Sequence, residues 1–318
     1  MGNTAPVVDA IDMADMPVQL PAAPASPAGQ RARFFNSGNA FNVKLPPVPA
    51  HTFTREAAAA LADQAPTGFY PCDQSSSLGC PFPATTPLML ARYARIAPNE
   101  TLAADFAATG AIWYVIRGRG ESACGAENIA WAAGDIFLLP GGIPSSHRAG
   151  PEGAVLWMVG NEPQLAFEHL HPQNAAQAAA EPVHYPADEI ERQFGRLFQA
   201  SANESTSGFA LIFSSDIQQA SRNILPTLTL SFNTLPPGER QRPHRHNSAA
   251  ITLIVRGAGC HSVVDGASCP WTPWATMVTP PGAPHSHHNG GTQRAYFLIV
   301  QDGGLHYHAR TMGFEFLE

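Results

Sequence analysis

The chain has 318 residues, of which 44% are apolar and 14% charged, enough for two ordinary domains with real cores and too few charges for a solvated disordered chain. Its net charge of -7 leaves no basic field to collect phosphates, which excludes a nucleic-acid partner. No apolar run approaches the ~18 residues of a membrane span, and five cysteines at unrelated spacings (Cys72, Cys80, Cys124, Cys260, Cys269) make no disulfide framework. A reducing cytoplasm is the expected compartment, with no signal peptide at the N-terminus.

Residues 1–50 are rich in Ala and Pro and read as an extended arm or tail. From His51 onward the chain says most things twice. "TFTREAAAAL" opens as a helix with Thr54 at its N-cap, and "YPADEIERQFGRLF" as a second helix with Pro186 at its start and Ile190, Phe194, Leu197 and Phe198 on its apolar face. Strands "LMLARYARIAPNE" and "LTLSFNTLPPGE" follow these helices. Then "IWYVIRGRG" matches "TLIVRGAG", and "GDIFLLPGGIPSSH" matches "WATMVTPPGAPHSH". The offset between matches holds at 139 residues for the first and 140 for the last. This constancy predicts two copies of one β-rich domain, residues 51–172 and 185–318, joined by a linker over 173–184. The Pro and Gly content suits short strands joined by tight turns.

The second copy carries the chemistry. In "RPHRHNSAAITLIVRGAG" the side chains of a strand alternate, so His244 and His246 share one face and Arg245 takes the other. Two imidazoles on one face are either hydrogen-bonded decoration or two-thirds of a metal site. About forty residues on stands Pro280-Pro281-Gly282-Ala283-Pro284-His285, with Asn289 four residues later.

The patterns G-x5-H-x-H and P-x-G-x2-H-x3-N resemble the two cupin motifs, with Trp274 where a Gly is usual at the head of the second. The whole chain then resembles a bicupin, and the resemblance implies an all-β fold with a few short helices, built as two tandem jelly-roll β-barrels. It also implies that His244, His246 and His285 hold a metal inside the second barrel. Many cupins place a Glu four residues after the second histidine; here that position is Ala250. This three-His pattern is similar to gentisate 1,2-dioxygenase and salicylate-cleaving relatives. The similarity implies non-haem Fe(II) (Mn, Ni or Zn as other divalent occupants), dioxygen and a small hydroxylated aromatic of the gentisate, salicylate or hydroquinone kind. A non-catalytic metal- or metabolite-binding bicupin and a diketone-cleaving three-His dioxygenase are the alternatives.

His287 and Asp302 are the candidate catalytic residues beside the ligands. His287 lies two residues beyond His285, and Asp302 follows the last apolar strand, where an acid could take a phenolic proton. Thr252 stands where the dioxygenases carry an Arg that helps hold a substrate carboxylate, so the pocket is expected to admit substrates lacking the acid. Trp271 and Trp274 are expected in the core, and "LHYHAR" (His306, His308) as an edge strand or interface. In the first copy Asp105, Ala107 and Ala111 occupy the corresponding strand and Ser145 stands for His285, so no ligand set is expected there. A homo-oligomer, dimer or tetramer, is expected.

Overall fold

The computed structural model describes residues 11–172, 177–200 and 208–318. Two compact units meet between Pro46 and Pro47. The N-terminal unit has more local structure than a bare arm. Gln19 and Phe34 form an antiparallel bridge, and Ser26 caps the short helix Pro27–Gln30 by accepting from the Gly29 N–H at 3.1 Å. Phe34, Phe35 and Phe41 in this unit remain exposed.

The larger unit contains two jelly-roll-like halves, each a six-stranded sheet facing a smaller one. The large sheets have the same order. One runs Val183–Tyr185, Ile136–Pro140, Gly110–Arg117, Ala154–Gly160, Leu90–Ile96 and Gly68–Pro71; the other runs His51–Phe53, Thr276–Thr279, Ala250–Arg256, Ala295–Gln301, Thr229–Leu235 and Phe209–Phe213. The first strand in each order comes from outside the copy it joins. His51–Phe53 pairs with Thr276–Val278 of the second half, and Val183–Tyr185 pairs with Ile136–Leu138 of the first. The halves are therefore laced together at both ends, and the boundaries expected from the repeat are crossed there. Residues 173–176 of the expected linker lie outside the described residues.

The central strands are apolar on both faces because both faces are buried. In Gly110–Arg117, Ile112 and Tyr114 face a core shared by the two large sheets, while Ala111, Trp113 and Val115 face the interior of the first half. In Ala250–Arg256, Ile251 and Leu253 join the shared core, and Ala250 and Ile254 face the second interior. Polar bonds pin the shared core: Thr276 Oγ1 accepts from Trp157 Nε1 at 2.9 Å and lies 2.7 Å from the Tyr93 hydroxyl. Each such buried bond contributes about 1 kcal/mol.

Two turns explain the repeated Pro/Gly signatures. Gly142 and Gly282 take φ of 73° and 74°, a left-handed backbone that glycine adopts without a Cβ clash. Trp274 is left-handed as well (φ 65°), like Gly134 of the first half (φ 95°), which accounts for the Gly usually found at its position. Its carbonyl accepts from the Tyr93 hydroxyl and its ring lies 6.3 Å from that of Tyr114, so packing between the halves holds the strained residue in place.

Among the described residues of this unit the helices are Arg55–Leu61, Ser75–Leu78, Glu162–Glu168, Ala187–Leu197 and Gly303–Ala309. Thr54 is at the N-cap position of the first, but its side chain makes no capping bond. Ile190 and Phe194 are buried as the apolar face requires, and Phe198 stacks on Phe194 at the edge. "LHYHAR" is a correction: His306 and His308 lie on the helix Gly303–Ala309, not on a strand. Positions two apart on a helix point about 200° from one another, so this H-x-H cannot act as a chelating pair.

Candidate metal centre

The strand His244–His246 runs buried, exposed, buried. Arg245 faces outward, and its guanidinium pairs with Glu315 at 2.6 Å. The strand lies between His285–Asn289 and the C-terminal strand Phe314–Phe316, which has no counterpart in the first half, and His244 sits directly opposite His285. Cross-strand partners on one face are near neighbours, so strand register alone brings His285 to the H-x-H pair. The Gly282 N–H donates to the His246 carbonyl at 2.7 Å and ties the preceding turn to the same place.

The ring centroids of His244 and His246 lie 4.2 and 4.8 Å from that of His285, and one nitrogen from each ring falls within 4.8 Å of the others. Each Nδ1 is held by a nearby backbone carbonyl: His244 by Arg242 O at 2.8 Å, His246 by Ser248 O at 2.9 Å, and His285 by Ala283 O at 2.8 Å. A carbonyl can only accept, so each Nδ1 carries the proton and each Nε2 keeps its lone pair. Burial favours the neutral ring: it lowers the His244 pKa and brings His246 to about 4 and His285 to about 3. Three neutral imidazoles with fixed tautomers fit a divalent metal, and an outer hydrogen bond on each ligand ring is a usual feature of such sites. Among the described residues no other group of three or more His, Cys, Asp or Glu side chains could hold an ion.

The histidines wall a cavity of about 580 Å³. Thr252, Thr279, Gln301, His287, Tyr307 and Phe314 also line it, and Phe314 stacks on His244 with ring centroids 5.2 Å apart. Ala250 lines it too, leaving open the space a carboxylate would take, and no Asp or Glu is among the described lining residues. Arg222 is the one Lys or Arg there, in a left-handed turn (φ 58°). Arg242 is elsewhere, its guanidinium 4.1 Å above the Phe316 ring and donating to the Glu318 carbonyl.

The two candidate catalytic residues part company. His287 lines the cavity, with its ring centroid 6.0 Å from that of His285. Asp302 is buried at the start of the C-terminal helix, accepts from the Ala249 N–H at 2.8 Å, and is not among the lining residues. Burial without a cationic partner raises its carboxyl from 3.8 to about 7. Neither tryptophan lines the cavity: Trp271 is buried beside His287, and Trp274 belongs to the shared core. Asn289, the last residue of the second motif, is a clamp. Its amide donates to Leu235 O and Gln293 O at 2.8 Å, and its Oδ1 accepts from Gly291 N at 2.9 Å and from Cys260 Sγ at 3.1 Å.

Ser262 is the residue that the motif reading missed. Its Oγ lies 2.8 Å from His287 Nδ1 and accepts from Trp271 Nε1 at 2.8 Å. A signal for it existed in the repeat, since S-x8-W-x15-H occurs at Ser122-Trp131-His147 and again at Ser262-Trp271-His287.

Known proteins agree with this architecture. The cupin domain family matches residues 231–301, and the AraC-like ligand binding domain matches residues 88–219. The salicylate 1,2-dioxygenase of Pseudoaminobacter salicylatoxidans, solved with gentisate, superposes with a TM-score of 0.72 at 14% identity, covering 87% of each chain. The molecule has the fold of a bicupin, with a cluster of three histidines in its second half. Over part of its length the chain is similar in sequence to gentisate 1,2-dioxygenase of Ralstonia sp. (37% identical over 79 residues, 25% of this chain) and to 1-hydroxy-2-naphthoate 1,2-dioxygenase of Nocardioides sp. strain KP7 (31% over 80 residues, 25%). The aligned stretches span 22% and 21% of the lengths of those two relatives.

Proposed function

We propose that this bicupin is a non-haem Fe(II) dioxygenase that cleaves the ring of a small hydroxylated aromatic of the gentisate, salicylate or hydroquinone kind. The observation that carries the reading is the set of three Nε2 lone pairs, fixed by backbone carbonyls, converging on a cavity with no carboxylate among its described lining residues. His244, His246 and His285 are the proposed ligands. A redox-active divalent ion there supplies an electron path between an electron-rich chelating substrate and dioxygen. The chain's own part is to orient and to exclude water. Ala250 and Thr252 keep the floor small enough to admit a planar ring, Phe314 offers it a flat apolar neighbour, and Ile299 and Met312 add apolar wall. His287 is proposed to meet an oxygen of the substrate. Asp302 holds the Ala249 backbone, three residues from His246, and is proposed to act through that backbone.

The curated relatives are named for acids with a hydroxyl beside the carboxylate or elsewhere on the ring. Thr252 cannot pair with such an acid, and Arg222 is the cation placed to do so in its stead. Among the described residues no helix is long and apolar enough to cross a membrane. The described cysteines are free, which supports a reducing cytoplasm as the site of action. Phe209–Phe213 forms a sheet edge with Ile212 exposed, which supports a homo-oligomer. The test is anaerobic reconstitution with Fe(II), followed by oxygen uptake with catechols, hydroquinones, salicylates, gentisate and diketones. Stoichiometric oxygen consumption with a ring-opened product is expected for at least one hydroxylated aromatic. Metal binding with no uptake across the panel would leave a binding protein in its place.

A further inference from the structure

The two halves share a buried hydrogen-bond chain that metal binding does not explain, because one half has no ligand set. In the first half Trp131 Nε1 donates to Ser122 Oγ at 2.8 Å, Ser122 Oγ lies 2.7 Å from His147 Nδ1, and His147 Nε2 lies 3.2 Å from Ser145 Oγ. Ser145 in turn donates to the Ala104 carbonyl at 3.5 Å. In the second half Trp271, Ser262 and His287 repeat the first two links at 2.8 Å each. Ser122 pairs across strands with His147, as Ser262 does with His287.

Donor and acceptor chemistry gives the chain a direction. An indole N–H only donates, so each serine oxygen accepts from its tryptophan. The serine has one proton left, and it is buried with Nδ1 as the acceptor at hand. In the first half this order satisfies every group in turn, from indole to Ala104 carbonyl. The reverse order, with the proton on Nδ1, would leave a buried hydroxyl hydrogen without an acceptor, which is costly.

We propose that Trp271 and Ser262 are a positioning pair that locks His287 with its proton on Nε2, so that it presents an N–H donor to the cavity beside three rings that present lone pairs. The part of this inference that concerns substrate rests on the dioxygenase reading; the tautomer does not. Backbone carbonyls hold the three ligands in one tautomer and a serine hydroxyl holds their neighbour in the other. His287 is thereby unsuited to join the ligand set and suited to bond an acceptor oxygen on the bound molecule. In the first half the corresponding Nε2–H is spent on Ser145, the position of His285.

The experiment is nitrogen-15 NMR of the Zn(II)-loaded full chain labelled at histidine, which separates protonated from unprotonated ring nitrogens. His287 and His147 are expected with unprotonated Nδ1 and protonated Nε2, and His244, His246 and His285 with protonated Nδ1. A protonated Nδ1 on His287 in the wild type overturns the proposal without any variant. Trp271→Phe keeps an aromatic ring and removes the donor, freeing the Ser262 oxygen to accept from Nδ1. His287 should then populate the second tautomer while His147 stays unchanged as an internal check on folding. Gentisate affinity of the Zn(II)-loaded protein should fall about 3- to 10-fold with it. An unmoved His287 tautomer in Trp271→Phe also overturns the proposal. If wild-type protein shows the expected tautomers but turns over no aromatic, the dioxygenase reading fails and the positioning pair stands.

Discussion

The two halves are built on one plan and differ inside. The second encloses about 580 Å³ at its histidines; the corresponding space in the first is about 10 Å³. Thr252 lines the open cavity, and its counterpart in the repeat is Trp113, stacked on Phe137 at 5.8 Å and set 4.2 Å from His147. Ser145 stands for His285 and closes a hydrogen-bond chain instead of completing a ligand set. Even the residue before each closing helix differs. Asn161 accepts from Thr109 N at 2.8 Å with a neutral amide, and Asp302 accepts from Ala249 N at 2.8 Å with a carboxyl. The shared features are those a jelly roll needs, and the differing ones separate a packed interior from a hollow one.

Substitutions that carry one half's solution into the other are the sharpest way to break this comparison. The largest effect is expected from His285→Ser, which copies Ser145. Metal content should fall from about one ion per chain to none by elemental analysis, with the circular dichroism spectrum retained. Two ions per chain in the wild type would show that the first half is not the silent one.

Next is the plug. Trp113→Ala should destabilise the protein by about 3 kcal/mol in denaturant melts, with part of a cavity's cost offset because the Trp113 indole N–H is buried without a partner. Thr252→Trp should leave metal content intact and abolish aromatic binding by calorimetry. Retained binding would mean that substrate does not enter beside Thr252.

Asp302→Asn copies Asn161 and bears on pH. The Asp302 carboxyl is raised from 3.8 to about 7, so the folded state binds its proton more tightly than the unfolded chain does. Its contribution to stability is full below about pH 4 and is lost as pH rises through 7. By linkage that loss is at most about 4 kcal/mol, and solvent relaxation will reduce it. The variant should therefore melt higher than wild type at pH 8, with the gap closing toward pH 4. If Asp302 transfers a proton, activity will collapse in the variant; if it only holds the Ala249 backbone, most activity will remain.

The smallest effect concerns substrate charge. Arg222→Gln should lower the preference for an acid-bearing aromatic over the matching diol by about tenfold, the scale of one charge-assisted hydrogen bond. Thr252→Arg should move the ratio the other way. An unchanged ratio in Arg222→Gln would mean that His287 or a residue outside the described set takes the acid.

The histidine cluster was legible in two parts. Alternation along a strand puts His244 and His246 on one face, and the resemblance to the cupin motifs added His285. The all-β architecture followed from the repeat and from its Pro/Gly turns, as Gly142 and Gly282 bear out. Other features were decided only by tertiary structure. Nothing local says that His51–Phe53 will complete the far sheet or that Val183–Tyr185 will return the favour, because a sheet edge accepts whichever strand the whole fold brings to it. "LHYHAR" became a helix rather than a strand, with Gly303 and Gly304 buried at its start, a local preference overridden by packing. Asp302 left the cavity for the same reason. Whether an interior is filled or hollow depends on what stands across from each inward side chain, so the sequence marked the histidines and only the fold showed that the space before them is open.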